Sequence, residues 1–202
     1  MSVRSGSRHL VIVARRPAIG VGKRRLAADV GDVEAWRFQR TCLDLLLASL
    51  GGRGPWRTWA AVTPDRQTAW LAGRATPLPQ GGGDLGQRLE RLAARFAAGA
   101  VVIIGSDTPT VRPADIAAAF RVLRSHDAVV GPAVDGGYWL IGLRRRAMVR
   151  GPFRGVRWSS PETLADTLAR LGGLRVASLR TLEDVDDLAS LRRVTRCRTP
   201  SV

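Results

Sequence analysis

The chain has 202 residues, 45% of them hydrophobic, which suffices for one well-buried core and favours a single domain over two small ones. No run approaches the roughly 18 apolar residues of a membrane span, and the polar, basic first eight residues lead into no signal-peptide core, so a cytoplasmic protein without a membrane partner is expected. The formal charge of +15 raises nucleic-acid binding, but the basic residues are scattered and the composition is rich in Ala, Gly and Arg and lacks Asn, so most of that charge reads as compositional background.

Leu10 to Ala14 is a short apolar run followed by Arg15, Arg16, Pro17 and a glycine-containing stretch, which predicts a buried strand ending in a loop. Apolar positions at helical spacing predict a long helix over Val33 to Leu50. Arg57 to Thr63 reads as a strand, with a short helix around Gln67 to Ala72 after it. The segment TPLPQGGG reads as a loop, and Asp84 opens an amphipathic helix through Leu85, Leu89, Leu92, Ala93 and Phe96. Ala100 to Ile104 is the clearest buried strand, and Pro113 suits the first turn of a helix reaching about Ser125. Asp127 to Gly131 and Tyr138 to Leu143 are strands, Ser160 to Leu171 a helix, Leu174 to Ser178 a strand and Asp187 to Val194 a last helix. This alternation predicts an α/β fold with a mostly parallel sheet covered on both faces. Residues 9–194 would form the domain, with 1–8 and 195–202 as flexible tails.

In an open α/β sheet, ligands bind outside the carboxyl ends of the strands, and three motifs fall there. The first is ARRPAIGVGKRRL, Ala14 to Leu26. Its backbone amides could wrap phosphates while Lys23 and Arg25 supply charge; a basic loop without a ligand is the alternative. It departs from the P-loop pattern at Pro17 and Arg24. Lys23 is the one lysine among 32 basic residues, which suggests a position that needs a compact ammonium rather than a planar guanidinium.

The second motif is Gly105-Ser106-Asp107-Thr108-Pro109. A carboxylate at this rim suits Mg²⁺ or Mn²⁺ against a pyrophosphate, and Asp107 lies about five residues too early to cap the helix that Pro113 begins. The third is Asp135-Gly136-Gly137-Tyr138-Trp139, which is either a structural hairpin turn or a place of close ligand approach. Gly81, Gly83 and Gly86 match a dinucleotide fingerprint only formally, because Pro77 and Pro79 make the preceding residues a poor strand. Glu183, Asp184, Asp186 and Asp187 could supply a second metal ligand or a loop capping the last helix. His9 and His126 are the only histidines and Cys42 and Cys197 are far apart, so no catalytic triad, zinc site or disulfide framework is indicated.

The ordered motifs VIVARRPAIGVGKRRL, QGGGDLGQRL, VVIIGSDTPT, GPAVDGGYWLIGL, VRWSSPETL and LEDVDDLASL resemble a bacterial family of glycosyltransferase-A-like proteins, over about Leu10 to Leu191. That family is described as of uncertain function or as nucleotide-diphospho-sugar transferases, some members being associated with arsenosugar biosynthesis. The chain is more distantly similar to molybdenum-cofactor guanylyltransferase and phospholactate guanylyltransferase. The resemblance implies a Rossmann-like, three-layer mixed sheet and a metal-dependent transferase acting on a nucleotide sugar or a nucleoside triphosphate and a small acceptor. It implies Asp107, with Asp186 or Asp184, at a Mg²⁺ or Mn²⁺ ion. Ala14, Arg15, Gly20, Gly22, Lys23, Arg25, Asp84, Arg88 and Ser106 would line the nucleotide and phosphate site. Asp135, Gly136, Gly137, Tyr138, Trp158 and Ser159 would face the acceptor or sugar, and Lys23, Asp107 and Asp135 would carry the chemistry. Arg24 stands where the family has Thr, and Asp-Val-Asp-Asp-Leu replaces its Asp-x-Asp-Thr-Pro run. Glycosyl transfer is the leading expectation, nucleotidyl transfer with release of diphosphate the first alternative, and a non-catalytic nucleotide-binding protein the second.

Overall fold

The computed structural model describes residues 7–52, 54–66, 68–96, 99–144 and 151–196. Most of both expected tails, together with Gln67 and Cys197, lies outside the described residues. Seven strands form one sheet in the order β3-β2-β1-β4-β6-β5-β7, comprising β1 (Arg8–Arg15), β2 (Arg57–Thr63), β3 (Thr76–Pro77), β4 (Ala100–Ile104), β5 (Ala128–Pro132), β6 (Tyr138–Arg144) and β7 (Val176–Ser178). β1, β2, β3 and β4 run parallel, as do β5 and β7, while β6 is antiparallel to both of its neighbours. The helices are α1 (Arg24–Val30), α2 (Asp32–Leu50), α3 (Leu85–Ala94), α4 (Pro113–Val122), α5 (Thr163–Arg170) and α6 (Leu188–Arg196).

The two-residue period of the strands builds the three layers. Leu10, Ile12 and Ala14 of β1 pack in one core with Leu43, Leu46, Leu47 and Leu50 of α2 and Ile116 and Phe120 of α4. Val11, between them, belongs to the opposite core with Leu89 and Leu92 of α3. Each fully buried leucine of α2 contributes roughly 1.5–3 kcal/mol. α1, the start of α2 and α6 share a third cluster around Leu26, Ala35, Val185 and Val194.

Several boundaries differ from the sequence reading. Thr76 and Pro77, expected in a loop, form β3 at the sheet edge, where a proline costs no ladder bond that an interior strand would need. The short helix expected around Gln67 to Ala72 is a 3₁₀ turn, Ala69–Leu71. α5 begins at Thr163 rather than Ser160, α4 ends at Val122 rather than Ser125, and β7 begins at Val176 rather than Leu174. β1 begins at Arg8 and α6 runs to Arg196, inside stretches expected as tails.

Candidate active site

The carboxyl ends of β1 and β4 face a cleft of about 890 Å³ whose lining includes Arg15, Lys23, Arg25, Ser106, Asp107 and Asp186. Two positive-φ glycines, Gly20 and Gly22, shape the loop after β1, which closes in a tight turn with Val21 N donating to Ala18 O at 3.1 Å. Gly22 has φ +77°, a backbone conformation in which a larger residue is strained, and a Cβ there would also displace the end of the Gln39 side chain. This turn delivers Lys23, itself left-handed at φ 44°, to the start of α1.

The Lys23 side chain is 4% exposed, and its Nζ lies 2.9 Å from Asp107 Oδ2 and 2.7 Å from Asp186 Oδ1. Burial disfavours the ammonium, but the two carboxylates outweigh it and hold the Lys23 pKa above the ordinary lysine value. Asp107 arrives on the turn after β4. The segment carrying Asp186 is tied against that turn, because Val185 N donates to Asp107 O at 3.1 Å and the Thr108 hydroxyl donates to Asp184. Ser190 Oγ accepts from Asp186 N at 3.0 Å, and Asp187 Oδ1 accepts from Ser190 N at 2.7 Å to cap α6. Within the acidic segment Asp187 caps the helix, one of the two readings made of it, and Asp186 lines the cleft.

Asp184 is the residue whose environment sequence spacing understated. Burial pushes its carboxyl up to about 6, opposed by the Thr108 hydrogen bond and assisted by the nearby Asp107 and Asp135 charges. It lines a second, smaller cavity of about 210 Å³ that shares Leu85, Asp135, Ser159 and Ser160 with the cleft. Its aromatic lining is Tyr138, Trp139 and Trp158, the first and last lying edge to face with ring centroids 6.3 Å apart. The Tyr138 hydroxyl is buried without a well-formed hydrogen bond, the adjacent Thr167 hydroxyl donating instead to Thr163 O at 2.8 Å.

Asp135 and Gly136 lie in a hairpin turn; Asp135 also lines the cleft, whereas Gly136, expected to face the acceptor, lies outside the lining of the cleft and of the adjoining cavity. They join antiparallel β5 and β6, and Asp135 Oδ1 accepts from Gly137 N at 2.9 Å. Gly136, at φ +86°, packs so closely on the Pro161 backbone that a Cβ would overlap it. The loop it touches holds Ser159 at φ 55°, so the two non-glycine residues with positive φ among those described, Lys23 and Ser159, face the same cleft.

The structure thus brings together Arg15, Gly22, Lys23, Arg25, Ser106, Asp107, Asp135, Ser159 and Asp186, with Gly137, Tyr138 and Trp158 in the adjoining cavity. Arg88 lines a third cavity next to Arg15. Ala14 is buried, its carbonyl accepting from Gln80 Nε2 at 3.0 Å, and Gly20 lies in the exposed turn outside the lining of these cavities. Asp84 is also outside that lining; it caps α3, accepting from Gln87 N at 2.8 Å in a capping box.

A divalent ion fits the donor set. Asp107 and Asp186 converge on one cation, each spends one oxygen on Lys23, and both side chains are nearly half exposed, at 42% and 46%. Among the described residues no group of three or more potential metal ligands gathers, so the protein would offer such an ion these two carboxylates.

An open mixed sheet with its cleft at the carboxyl edge is the fold of the nucleotide-diphospho-sugar transferases, shared by nucleotidyl- and sugar-transferring enzymes. The chain belongs to the DUF2064 family, an uncharacterized protein family conserved in bacteria, whose family model matches residues 39–160. A curated relative, 3-phospho-D-glycerate guanylyltransferase of Phenylobacterium zucineum (strain HLK1), is 36% identical over 144 residues, covering 66% of this chain and 65% of the relative. This match spans a little under two thirds of that relative's length. A crystal structure from Desulfovibrio desulfuricans G20, provisionally described as a nucleotide-diphospho-sugar transferase, superposes with a TM-score of 0.86 at 28% identity, covering 96% of this chain and 88% of that one. The manganese complex of Rv0371c from Mycobacterium tuberculosis H37Rv shares the fold, with a TM-score of 0.53 at 17% identity over 94% of this chain and 98% of that one. Among the described residues no helix is long and apolar enough to cross a membrane.

Proposed function

We propose that the chain is a metal-dependent nucleotidyltransferase that joins a nucleoside triphosphate to a phosphorylated small molecule and releases diphosphate. The observation that carries this reading is the buried ammonium of Lys23, within 3 Å of both Asp107 and Asp186 at the floor of a cleft that also holds Arg15 and Arg25. That arrangement suits an extended triphosphate: fixed positive charge lies where charge develops on the departing diphosphate, the electrostatic contribution that dominates such catalysis. The guanylyltransferase name of the Phenylobacterium relative supports nucleotidyl over glycosyl transfer.

In this reaction an acceptor phosphate oxygen forms a bond to the α-phosphorus, and the bond from that phosphorus to the bridging oxygen breaks, the diphosphate keeping the electron pair. Lys23 stays protonated and, with Arg15 and Arg25, holds the β- and γ-phosphates. Asp107 and Asp186 would hold Mg²⁺ or Mn²⁺ through the oxygens not committed to Lys23, and the bound ion would supply charge neutralisation at the phosphates. Ser106 and Asp135 line the cleft, and the cavity beyond Asp135 would receive the acceptor's far end.

A second reading is glycosyl transfer from a nucleotide sugar, favoured by the Tyr138 and Trp158 cavity beside Asp135, whose aromatic faces suit a sugar ring. Donor and product separate the two. With Mn²⁺ and a panel of phosphorylated acceptors, the nucleotidyl reading expects diphosphate from a nucleoside triphosphate. Nucleoside diphosphate released from nucleotide sugars, with no diphosphate from any triphosphate, would establish the glycosyl reading instead.

A further inference from the structure

The small cavity beside the phosphate cleft differs from it in charge. The cleft lining includes Arg15, Lys23 and Arg25, whereas the cavity of about 210 Å³ has no Arg, Lys or His in its lining among the described residues. Neighbouring strands β1, β4 and β6 turn Val13, Ile103 and Ile141 to the α3 face of the sheet, where Leu89, Tyr138 and Trp158 complete the apolar walls. The polar lining includes two carboxylates, Asp135 on the hairpin turn and Asp184 on the segment before α6.

Each carboxylate commits one oxygen to the protein. Asp184 Oδ1 accepts from the hydroxyl of the buried Thr108, and Asp135 Oδ1 accepts from Gly137 N at 2.9 Å. Neither Oδ2 has a hydrogen-bond partner among the described residues. An ionised carboxylate only accepts, so these oxygens are suited to a hydroxyl donor. A carboxylate brought into the same space would give up its water to walls without a basic partner and would face two like charges. Desolvation and repulsion then act in the same direction.

We propose that this cavity selects the acceptor by charge: it takes a phosphate ester whose far end is uncharged and bears a hydroxyl group, as in a polyol or sugar phosphate, and Asp184 and Asp135 exclude a carboxylate there. The inference rests on the nucleotidyltransferase reading for the reaction and concerns the acceptor alone. The hydroxyl donates to a free carboxylate oxygen, keeps its proton and takes no part in bond-making, which occurs at the acceptor's phosphate. The rings of Tyr138 and Trp158 cover the carbon skeleton. The acceptor in the name of the Phenylobacterium relative, 3-phospho-D-glycerate, ends in a carboxylate and is therefore a poor substrate for this chain. Rejection of a near-isostere by groups left opposed is the usual source of strong discrimination in a polar site.

The test uses matched acceptors that differ only in a hydroxymethyl group or a carboxylate at the end away from the phosphate: glycerol 3-phosphate with 3-phosphoglycerate, and glucose 1-phosphate with glucuronate 1-phosphate. Diphosphate release by the full chain is followed with Mn²⁺ and each common nucleoside triphosphate, in wild type and Asp184→Asn. Wild type is expected to use the hydroxyl-bearing member of at least one pair with a kcat/KM at least about tenfold higher. Asparagine keeps an oxygen for the Thr108 hydroxyl and replaces the free oxygen by a donor. Asp184→Asn is therefore expected to lower that ratio about tenfold, the KM of the carboxylate member falling while that of the hydroxyl member rises. A gain for one substrate is a signal that an unfolded variant cannot give. Equal or preferential use of the carboxylate members by wild type, or an unchanged ratio in Asp184→Asn, would overturn the assignment while leaving the nucleotidyltransferase reading in place. Absence of diphosphate from every triphosphate with every phosphorylated acceptor would bring down both.

Discussion

Lys23 combines a left-handed backbone, a side chain only 4% exposed and two carboxylates within 3 Å. A guanidinium is larger and planar, so Lys23→Arg is expected to weaken nucleotide affinity about tenfold or more despite keeping the charge, read by calorimetry; unaltered affinity would contradict the role given to the ammonium. The same geometry makes the ammonium a competitor for any ion between Asp107 and Asp186. Lys23→Met should therefore bind Mn²⁺ more tightly than wild type when no nucleotide is present, and equal affinity by electron paramagnetic titration would show that the ammonium does not compete. The sequence pointed to this residue because it is the one lysine in an arginine-rich chain. It pointed less well to Asp184, because burial and a hydrogen bond from Thr108 leave no periodic or spacing signal.

At the scale of elements, α3 shows a site residue turned to a structural task. The Asp84 carboxylate is engaged in the capping box, so Asp84→Ala should cost about 1 kcal/mol of stability in urea unfolding. Lost nucleotide affinity without lost stability would restore the pocket role that the resemblance implied. The loop before α5 is fastened differently: Arg157 Nε and Nη2 both donate to Asp166 at 2.8 Å, and these bonds hold the Asp166 carboxyl at about 2. A carboxyl lowered on folding stabilises the fold above its unfolded pKa of about 4, and that contribution disappears as pH falls through 2. In Arg157→Ala the Asp166 carboxyl should titrate above 2 but short of the ordinary value of about 4 by carbon-detected NMR, because the backbone N–H at position 157 still donates to it; a titration still near 2 would refute the side-chain clamp. The delayed start of α5 has the same origin. Thr163 Oγ1 donates to Ser160 O at 2.8 Å and Arg157 N donates to Asp166 at 3.0 Å, so the residues that carry Pro161 and Glu162 serve as a bracket ahead of the helix.

For the whole molecule, alternating apolar runs were enough to foresee a three-layer sheet, since strands such as Ala100–Ile104 are buried on both faces and must be covered on both. The antiparallel β6 was legible only as a hairpin option at Asp135-Gly136, and the edge strand β3 was hidden by its prolines. What strand order adds is juxtaposition: placing β1 between β2 and β4 sets the loop that carries Lys23 and the turn that carries Asp107 along one rim. The central claim is that Asp107 holds a divalent ion against nucleotide phosphates. It is tested most directly by nucleotide affinity with and without Mn²⁺ in wild type and Asp107→Asn, with circular dichroism as the check on folding. The account predicts that Mn²⁺ strengthens binding in wild type and no longer does so in a folded Asp107→Asn. An Mn²⁺ enhancement of equal size in that variant would contradict it.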